Sequence, residues 1–335
     1  MRVVVVEDPS IVGFRGIVGD DGYRRIGCAD ANEVRVCSME ARDQLPVLVA
    51  GADIVVMMTI RFGEETLGRA PRLRFIQKLG AGYENVDVKA ATARHILVAN
   101  TDSMNKVSVA EHAFLLMLMC GRHYADKAEE LRTGQWSLGH AWATELYGRT
   151  LGIIGLGNIG REIAARARAF GMPLLALKRA REPEGAEALA VEFVGLDDLL
   201  RRSDFVVLSL AMTPEARGMI GARELSLMKP TTFLINVSRG AVVDEAALIT
   251  ALEEGRIAGA GLDVFAQEPL PPGHPLFSCP RVILTPHYAG TADGSVNRLW
   301  SFAADNVARV TRGDPPLSLV NPEVIAGHER LVPKG

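Results

Sequence analysis

The chain has 335 residues, enough for two domains with a core each. A formal net charge of −3 and no long basic run argue against nucleic acid as the main partner. A composition of 48% hydrophobic and 23% charged residues is that of an ordinary globular protein in water, and the scattered Cys28, Cys37, Cys120 and Cys279, with no C-x-x-C pair, fit a reducing cytoplasmic setting and offer no metal-site spacing.

Met1-Arg2 leads straight into Val3–Val6 and then Glu7-Asp8, a first β-strand rather than a signal segment. Val3–Val6, Ile54–Met58, Phe75–Lys78 and Ile96–Val98 predict the short parallel strands of a first α/β unit. Ser108-Val109-Ala110-Glu111 reads as a capping box opening the apolar helix Ala113–Cys120, which is far too short for a membrane span and is expected to lie buried between domains. A charged helix from about Tyr124 to Arg132 follows, then a loop with Trp136 and Trp142, which either pack in the core or line a partner subunit. The second α/β unit begins at Leu151, with strands at Ile153–Gly155, Leu174–Leu177, Phe205–Leu210, Phe233–Val237, Gly261–Val264 and Val282–Leu284. Helices are expected at Asp244–Gly255 and Val296–Arg309, before a Pro-rich tail. This alternation predicts an α/β protein of two Rossmann-like, doubly wound parallel-sheet domains with a cleft between them.

The most informative motif is Gly155-Leu156-Gly157-Asn158-Ile159-Gly160, set between the apolar run Leu151-Gly152-Ile153-Ile154 and a helical pattern closed by Gly171. Strand, glycine turn and helix in that order are the context of a dinucleotide site: Gly155 for the sharp turn, Gly157 for close approach of the pyrophosphate, Gly160 for helix–strand packing. An NAD-binding chain places a carboxylate about 20 residues further on, for the ribose 2′-hydroxyl. Here the next strand ends in Lys178-Arg179-Ala180-Arg181, with no carboxylate before Glu182. Cations at the selecting position favour a 2′-phosphate, so NADP is expected ahead of NAD.

Three segments at strand ends carry ionisable side chains: Asn236-Val237-Ser238-Arg239-Gly240, Asp263 to Glu268-Pro269, and Thr285-Pro286-His287. In an open parallel sheet, ligands lie beyond the carboxyl ends of the strands. Oxidoreduction of a hydroxy acid needs a cation for the carboxylate, an acid–base group for the hydroxyl proton and a group that holds it. Arg239, His287 and Glu268 suit these roles, with Glu268 favouring the imidazolium. Each alone reads as an ordinary surface or loop residue; their joint position behind a dinucleotide turn points to catalysis. His112 reads as a structural histidine, and His95, His123, His140, His274 and His328 as loop or surface residues.

With these segments, and with Leu79-Gly80-Ala81-Gly82-Tyr83-Glu84-Asn85-Val86-Asp87, Val109-Ala110-Glu111-His112 and Gly261-Leu262-Asp263-Val264-Phe265, the chain resembles the D-isomer-specific 2-hydroxyacid dehydrogenases from about Ala52 to Pro322. The resemblance implies a discontinuous substrate-binding domain, 1–102 plus 290–335, around a dinucleotide-binding domain, 103–289. It implies catalysis by Arg239, Glu268 and His287, and substrate binding by Ala81, Gly82, Arg239 and His287. Cofactor contacts are expected from Gly155, Gly157, Asn158, Ile159, Gly160, Lys178, Arg179, Thr213, Val237, Asp263 and His287, with Asp263 near the nicotinamide carboxamide. It further implies a small 2-keto acid such as glyoxylate or hydroxypyruvate as substrate, no metal, no membrane, and a homodimer formed through the helix that Ser108 opens. Asp102 stands where the family commonly has proline, and Glu268 stands where its formate dehydrogenases have glutamine. A nucleotide-sensing binding protein of the same fold, like the family's corepressors, and a dehydrogenase of a non-carbon substrate such as phosphite are the rival readings.

Overall fold

Runs of β-branched and aliphatic residues buried on both faces build two all-parallel sheets, as expected where helices cover each side. The structure is a computed structural model, and it describes residues 1–6, 25–26, 32–37, 45–136, 142–178 and 187–326. The chain divides into two compact units, Met1–Asn105 with Thr291–Gly335, and Lys106–Gly290.

In the first unit the strands are β1 (Arg2–Val6), β2 (Glu33–Cys37), β3 (Ile54–Met57), β4 (Phe75–Lys78) and β5 (Leu97–Ala99), in the order β2-β1-β3-β4-β5. The order reverses at β1/β3, as in flavodoxin-like sheets. Val3 and Val5 face a core that includes Trp300, Ala303 and Val307 of the helix Asp293–Arg312, and Val4 and Val6 face the opposite core with Leu67 and Ala91. That helix is longer at both ends than the sequence pattern predicts, and Gly313 closes it in the left-handed conformation.

The second unit holds β6 (Leu151–Ile154), β7 (Leu174–Leu177), β8 (Val191–Val194), β9 (Phe205–Leu208), β10 (Phe233–Asn236), β11 (Gly259–Leu262) and β12 (Val282–Leu284). Their order is β12-β11-β10-β9-β6-β7-β8, so the winding reverses between β6 and β9, the crevice where a doubly wound sheet receives a dinucleotide.

The structure corrects one expectation about the long apolar helix. It runs Lys106–Gly121, so Ser108 is a buried residue of its first turns and caps nothing. The buried face of the helix packs within the second unit: Val109, Ala110, Ala113, Leu116 and Met117 share one core with Ile153, Ile163, Val207 and Ile235. No helix among the described residues is long and apolar enough to cross a membrane.

Candidate active site

The turn after β6 has the steric character its glycines imply. Gly155 has φ +105°, and a Cβ there would meet Leu210 N at 2.6 Å. A Cβ at Gly160 would stand 2.2 Å from Gly155 O, so helix Asn158–Ala169 and β6 reach their packing distance only with glycine here. At Gly157 nothing lies within 4 Å of the Cβ position. Gly157 is also the helix N-cap and offers no side-chain acceptor to the first-turn N–H groups of residues such as Asn158 and Ile159. Open space in front of a helix N-terminus is a phosphate cradle, and it fits the pyrophosphate of a nicotinamide dinucleotide. Thr213 is exposed in the loop after β9, and Val237 is buried at the end of β10. Lys178 follows β7 with an exposed side chain, held by its N–H donating to Val194 O at 2.8 Å. Arg179 and Arg181 lie outside the described residues.

Arg239, Glu268 and His287 come together in the second unit. Asn236, at the end of β10, folds the arginine loop: its Oδ1 accepts from Ser238 N at 3.0 Å and Ser238 Oγ at 2.8 Å, and its Nδ2 donates to Arg239 O at 3.0 Å. Glu268 Oε1 accepts from Phe265 N at 3.0 Å, and its Oε2 lies 2.7 Å from His287 Nδ1. Burial alone would raise the Glu268 carboxyl; the His287 hydrogen bond and charge, the Phe265 N–H and the Arg239 charge outweigh it and hold the group below the ordinary carboxylate range. An ionised carboxylate only accepts, so His287 donates through Nδ1–H, and Nε2 is left as the working nitrogen.

Asp263 organises the loop that carries His287. It is 1% exposed, and its carboxylate accepts from Thr285 Oγ1 at 2.6 Å, Tyr288 N at 2.8 Å and Ala289 N at 2.9 Å. Asp263 O accepts from His287 N at 2.8 Å. These bonds hold His287 in the left-handed region, at φ +51°. His112 Nε2 lies 2.9 Å from Thr285 Oγ1. The single hydroxyl proton of Thr285 goes to Asp263, so His112 donates through Nε2–H. Burial lowers the His112 pKa, with the Asp263 charge opposing, which keeps the ring neutral and suited to that one bond. Reading His112 from sequence as structural misses that its partner stands two residues before His287. Thr285 directly follows β12, as Asp263 directly follows β11, and this shared strand-end position is the signal that connects them.

Ala81 and Gly82 lie half-buried in the first unit, shortly after β4. Among the described residues, no group of three or more His, Cys, Asp or Glu is placed to hold a metal ion.

A family model described as "D-isomer specific 2-hydroxyacid dehydrogenase, NAD binding domain" matches residues 114–289. The chain is 44% identical over 279 residues to a glyoxylate reductase of Thermococcus gammatolerans, covering 81% of this chain and 83% of that one. It belongs to the D-isomer-specific 2-hydroxyacid dehydrogenase family. A second relative, a glyoxylate reductase of Pyrococcus furiosus, is 42% identical over 292 residues, 85% of this chain and 87% of that one. Among solved structures, the TT0316 protein from Thermus thermophilus superposes with a TM-score of 0.85 at 32% identity, covering 96% of this chain and 100% of that one. As a member of the 2-hydroxyacid dehydrogenases, the protein is a nicotinamide-dependent oxidoreductase on a two-domain Rossmann-like fold.

Proposed function

We propose that this 2-hydroxyacid dehydrogenase reduces a small 2-keto acid of the glyoxylate or hydroxypyruvate type, using NADPH in preference to NADH. The observation that carries the reading is the Glu268–His287 pair, 2.7 Å apart on strand-end loops beside Arg239; the glyoxylate reductases among its relatives support the substrate. The Gly155–Gly160 turn, with Asn158, Ile159, Thr213 and Val237, holds the dinucleotide, which when bound supplies the hydride. Arg239 binds a carboxylate through its fork of N–H donors, and the N–H groups of Ala81 and Gly82 are a carboxylate-binding element of the first unit. His287 Nε2–H gives its proton to the keto oxygen as that oxygen becomes a hydroxyl, and takes it back in oxidation. Asp263 holds the His287 loop in place.

Lys178 and Arg179 favour the 2′-phosphate. One charge-assisted hydrogen bond is worth about 1.5–3 kcal/mol, so kcat/KM is expected to favour NADPH by roughly tenfold or more. The test is a panel of 2-keto acids with both cofactors. Equal or better performance with NADH removes the phosphate assignment, and no turnover of any 2-keto acid removes the substrate assignment.

Glu268 acts through the histidine. Its lowered pKa keeps the carboxylate charged as pH falls through the ordinary carboxylate range, so the negative charge facing the ring is present above that range and is lost only at lower pH. Glu268→Gln removes the charge that stabilises the imidazolium. Reduction needs the protonated ring and oxidation the neutral one. The alkaline limb of kcat/KM for reduction and the acidic limb for oxidation are therefore both expected to move to lower pH. Limbs that stay in place would show that Glu268 does not govern the histidine.

The enzyme works as a homodimer in a reducing, cytoplasmic setting. Supporting this, Trp136 and Trp142 are 88% and 96% exposed, which excludes the core packing that the sequence left open, and Leu115 projects from the long helix at 47% exposure. Cys37, Cys120 and Cys279 are free thiols, and burial pushes Cys120 up to about 12, leaving it inert.

A further inference from the structure

The Gly80–Gly82 loop leaves β4 with its carbonyls turned back into the first unit. Leu79 O accepts from the buried Lys78 Nζ, Gly80 O from Thr101 N at 3.1 Å, and Ala81 O from Asn100 Nδ2 at 2.7 Å. Gly80 takes φ +105° at this turn, and its own N–H donates to Thr101 Oγ1 at 2.6 Å. In a planar trans peptide the C=O and N–H point in opposite directions. Pinning Gly80 O therefore aims the Ala81 N–H outward, and pinning Ala81 O aims the Gly82 N–H outward. Neither N–H donates to an acceptor among the described residues. Two successive N–H groups presented together form an anion-binding concavity, and Lys78 Nζ, donating to Leu79 O, lies 3.3 Å from the Cβ position of Gly80 in the same turn.

Asn100 is the part of this arrangement with a second partner. Its Oδ1 accepts from Ser318 Oγ, and its backbone N–H donates to Ser318 O at 3.2 Å. Both side-chain bonds are satisfied in only one orientation of the amide, because a carbonyl needs the NH₂ and the hydroxyl proton needs the oxygen. Ser318 belongs to a returning segment fixed along β5 by the antiparallel bridge Ala99–Leu319 and by Val320 N donating to Val98 O at 2.7 Å. The segment thus reaches the anion loop through one amide, across 218 residues of sequence.

We propose that Asn100, oriented by Ser318, is a positioning residue that aims the Gly82 N–H at the substrate carboxylate, beside the Ala81 N–H that Thr101 aims. This rests on the reading of that loop as a carboxylate site. Asn100→Ala frees the Ala81 peptide to rotate. The KM for glyoxylate is then expected to rise about tenfold, the loss of one hydrogen bond to a charged group, with kcat and the KM for NADPH unchanged. Ser318→Ala leaves the Asn100 donor in place but unbraced, so its KM should rise less. Direct titration of the full-length protein with oxalate, a non-reacting dicarboxylate, should show the same order of affinities: wild type, Ser318→Ala, Asn100→Ala. If the wild type reduces no 2-keto acid, the functional reading fails and the oxalate series alone decides the inference. If the wild type is active and both variants keep its KM and oxalate affinity, the inference fails and the reading stands. A fall in kcat and melting temperature with KM unchanged would reduce Asn100 to a structural residue and overturn the proposal. Should Asn100→Ala not fold, Ser318→Ala decides by the same two readouts.

Discussion

His287→Ala is expected to lower kcat for keto-acid reduction by about 10²–10⁴-fold, the usual contribution of a positioned acid–base group, while dinucleotide affinity persists. The expectation rests on what the side chain touches. His287 is 51% exposed, and its ring is held by Glu268, so its removal leaves no cavity in the core. The loop is held by others: Asp263 accepts from Thr285 Oγ1, Tyr288 N and Ala289 N, and its backbone carbonyl accepts from the His287 N–H, which alanine retains. Alanine must adopt the same φ of +51°, a conformation costing on the order of 1–2 kcal/mol for any residue with a Cβ. The substitution therefore neither relieves the strain nor adds much to it. A melting curve close to wild type, a fluorescence titration with NADPH and a single-turnover measurement of the hydride step separate chemistry from folding. A hydride-transfer rate unchanged from wild type would remove His287 as the proton donor, whatever the steady-state constants do.

Much of this site stands in the sequence because its parts are short and sequential. Glycine spacing, flanking strand and following helix all lie between Leu151 and Gly171, and the three ionisable residues each follow a strand made of aliphatic residues. The fold class follows from the same runs, since β1, β3, β6, β9 and β10 are buried along nearly their whole length. The strands that sequence reasoning passes over are β2 (Glu33–Cys37) and β8 (Val191–Val194), at the outer edges of the two sheets. Their residues alternate charged with apolar and are largely half-buried or exposed, so they lack the continuous apolar run of a central strand. Alternation itself is the available signal, and Glu33-Val34-Arg35-Val36-Cys37 shows it. The capping-box reading at Ser108 fails for a different reason. The pattern is local, whereas the helix start is set by packing, and Lys106 and Val107 are drawn into the helix ahead of it. The supporting shell is least legible of all. His112 meets Thr285 across 173 residues, and Asn100 meets Ser318 across 218. No spacing rule links such pairs, because each bond exists only once the strands have brought its two ends together.

Gly240→Ala is expected to reduce kcat/KM by about 10²-fold or more without touching any group that performs chemistry. Gly240 follows the arginine at the end of β10, and the backbone of the Glu268 loop crosses directly above it. A Cβ there would stand 1.8 Å from Phe265 C, 2.0 Å from Phe265 O and 2.4 Å from Ala266 N. These are backbone atoms, so no side-chain rotation makes room, and one of the two loops must move by an ångström or more. Neither moves freely. The arginine loop is tied by Asn236 to Ser238 and Arg239. The opposing loop is tied by Phe265 N to Glu268 and by Ala266 N, which donates to Glu245 Oε2 at 3.2 Å. Displacement of Phe265 shifts the N–H that helps hold Glu268 ionised, and displacement of Arg239 shifts the carboxylate-binding fork. A misplacement of about 1 Å costs about 10²-fold in an oriented reaction, and here two groups are displaced together. The damage is geometric, so it differs from that of His287→Ala: the KM for the keto acid should rise along with the fall in kcat, and the pH limbs should move as in Glu268→Gln. Affinity for the dinucleotide's phosphates, measured with a nucleotide that lacks the nicotinamide, should persist because the Gly155–Gly160 turn is built on β6. Near-wild-type kinetics in a folded Gly240→Ala variant would mean that the two loops are not held in contact in solution, and that the joint placement of Arg239 and Glu268 does not depend on this crossing.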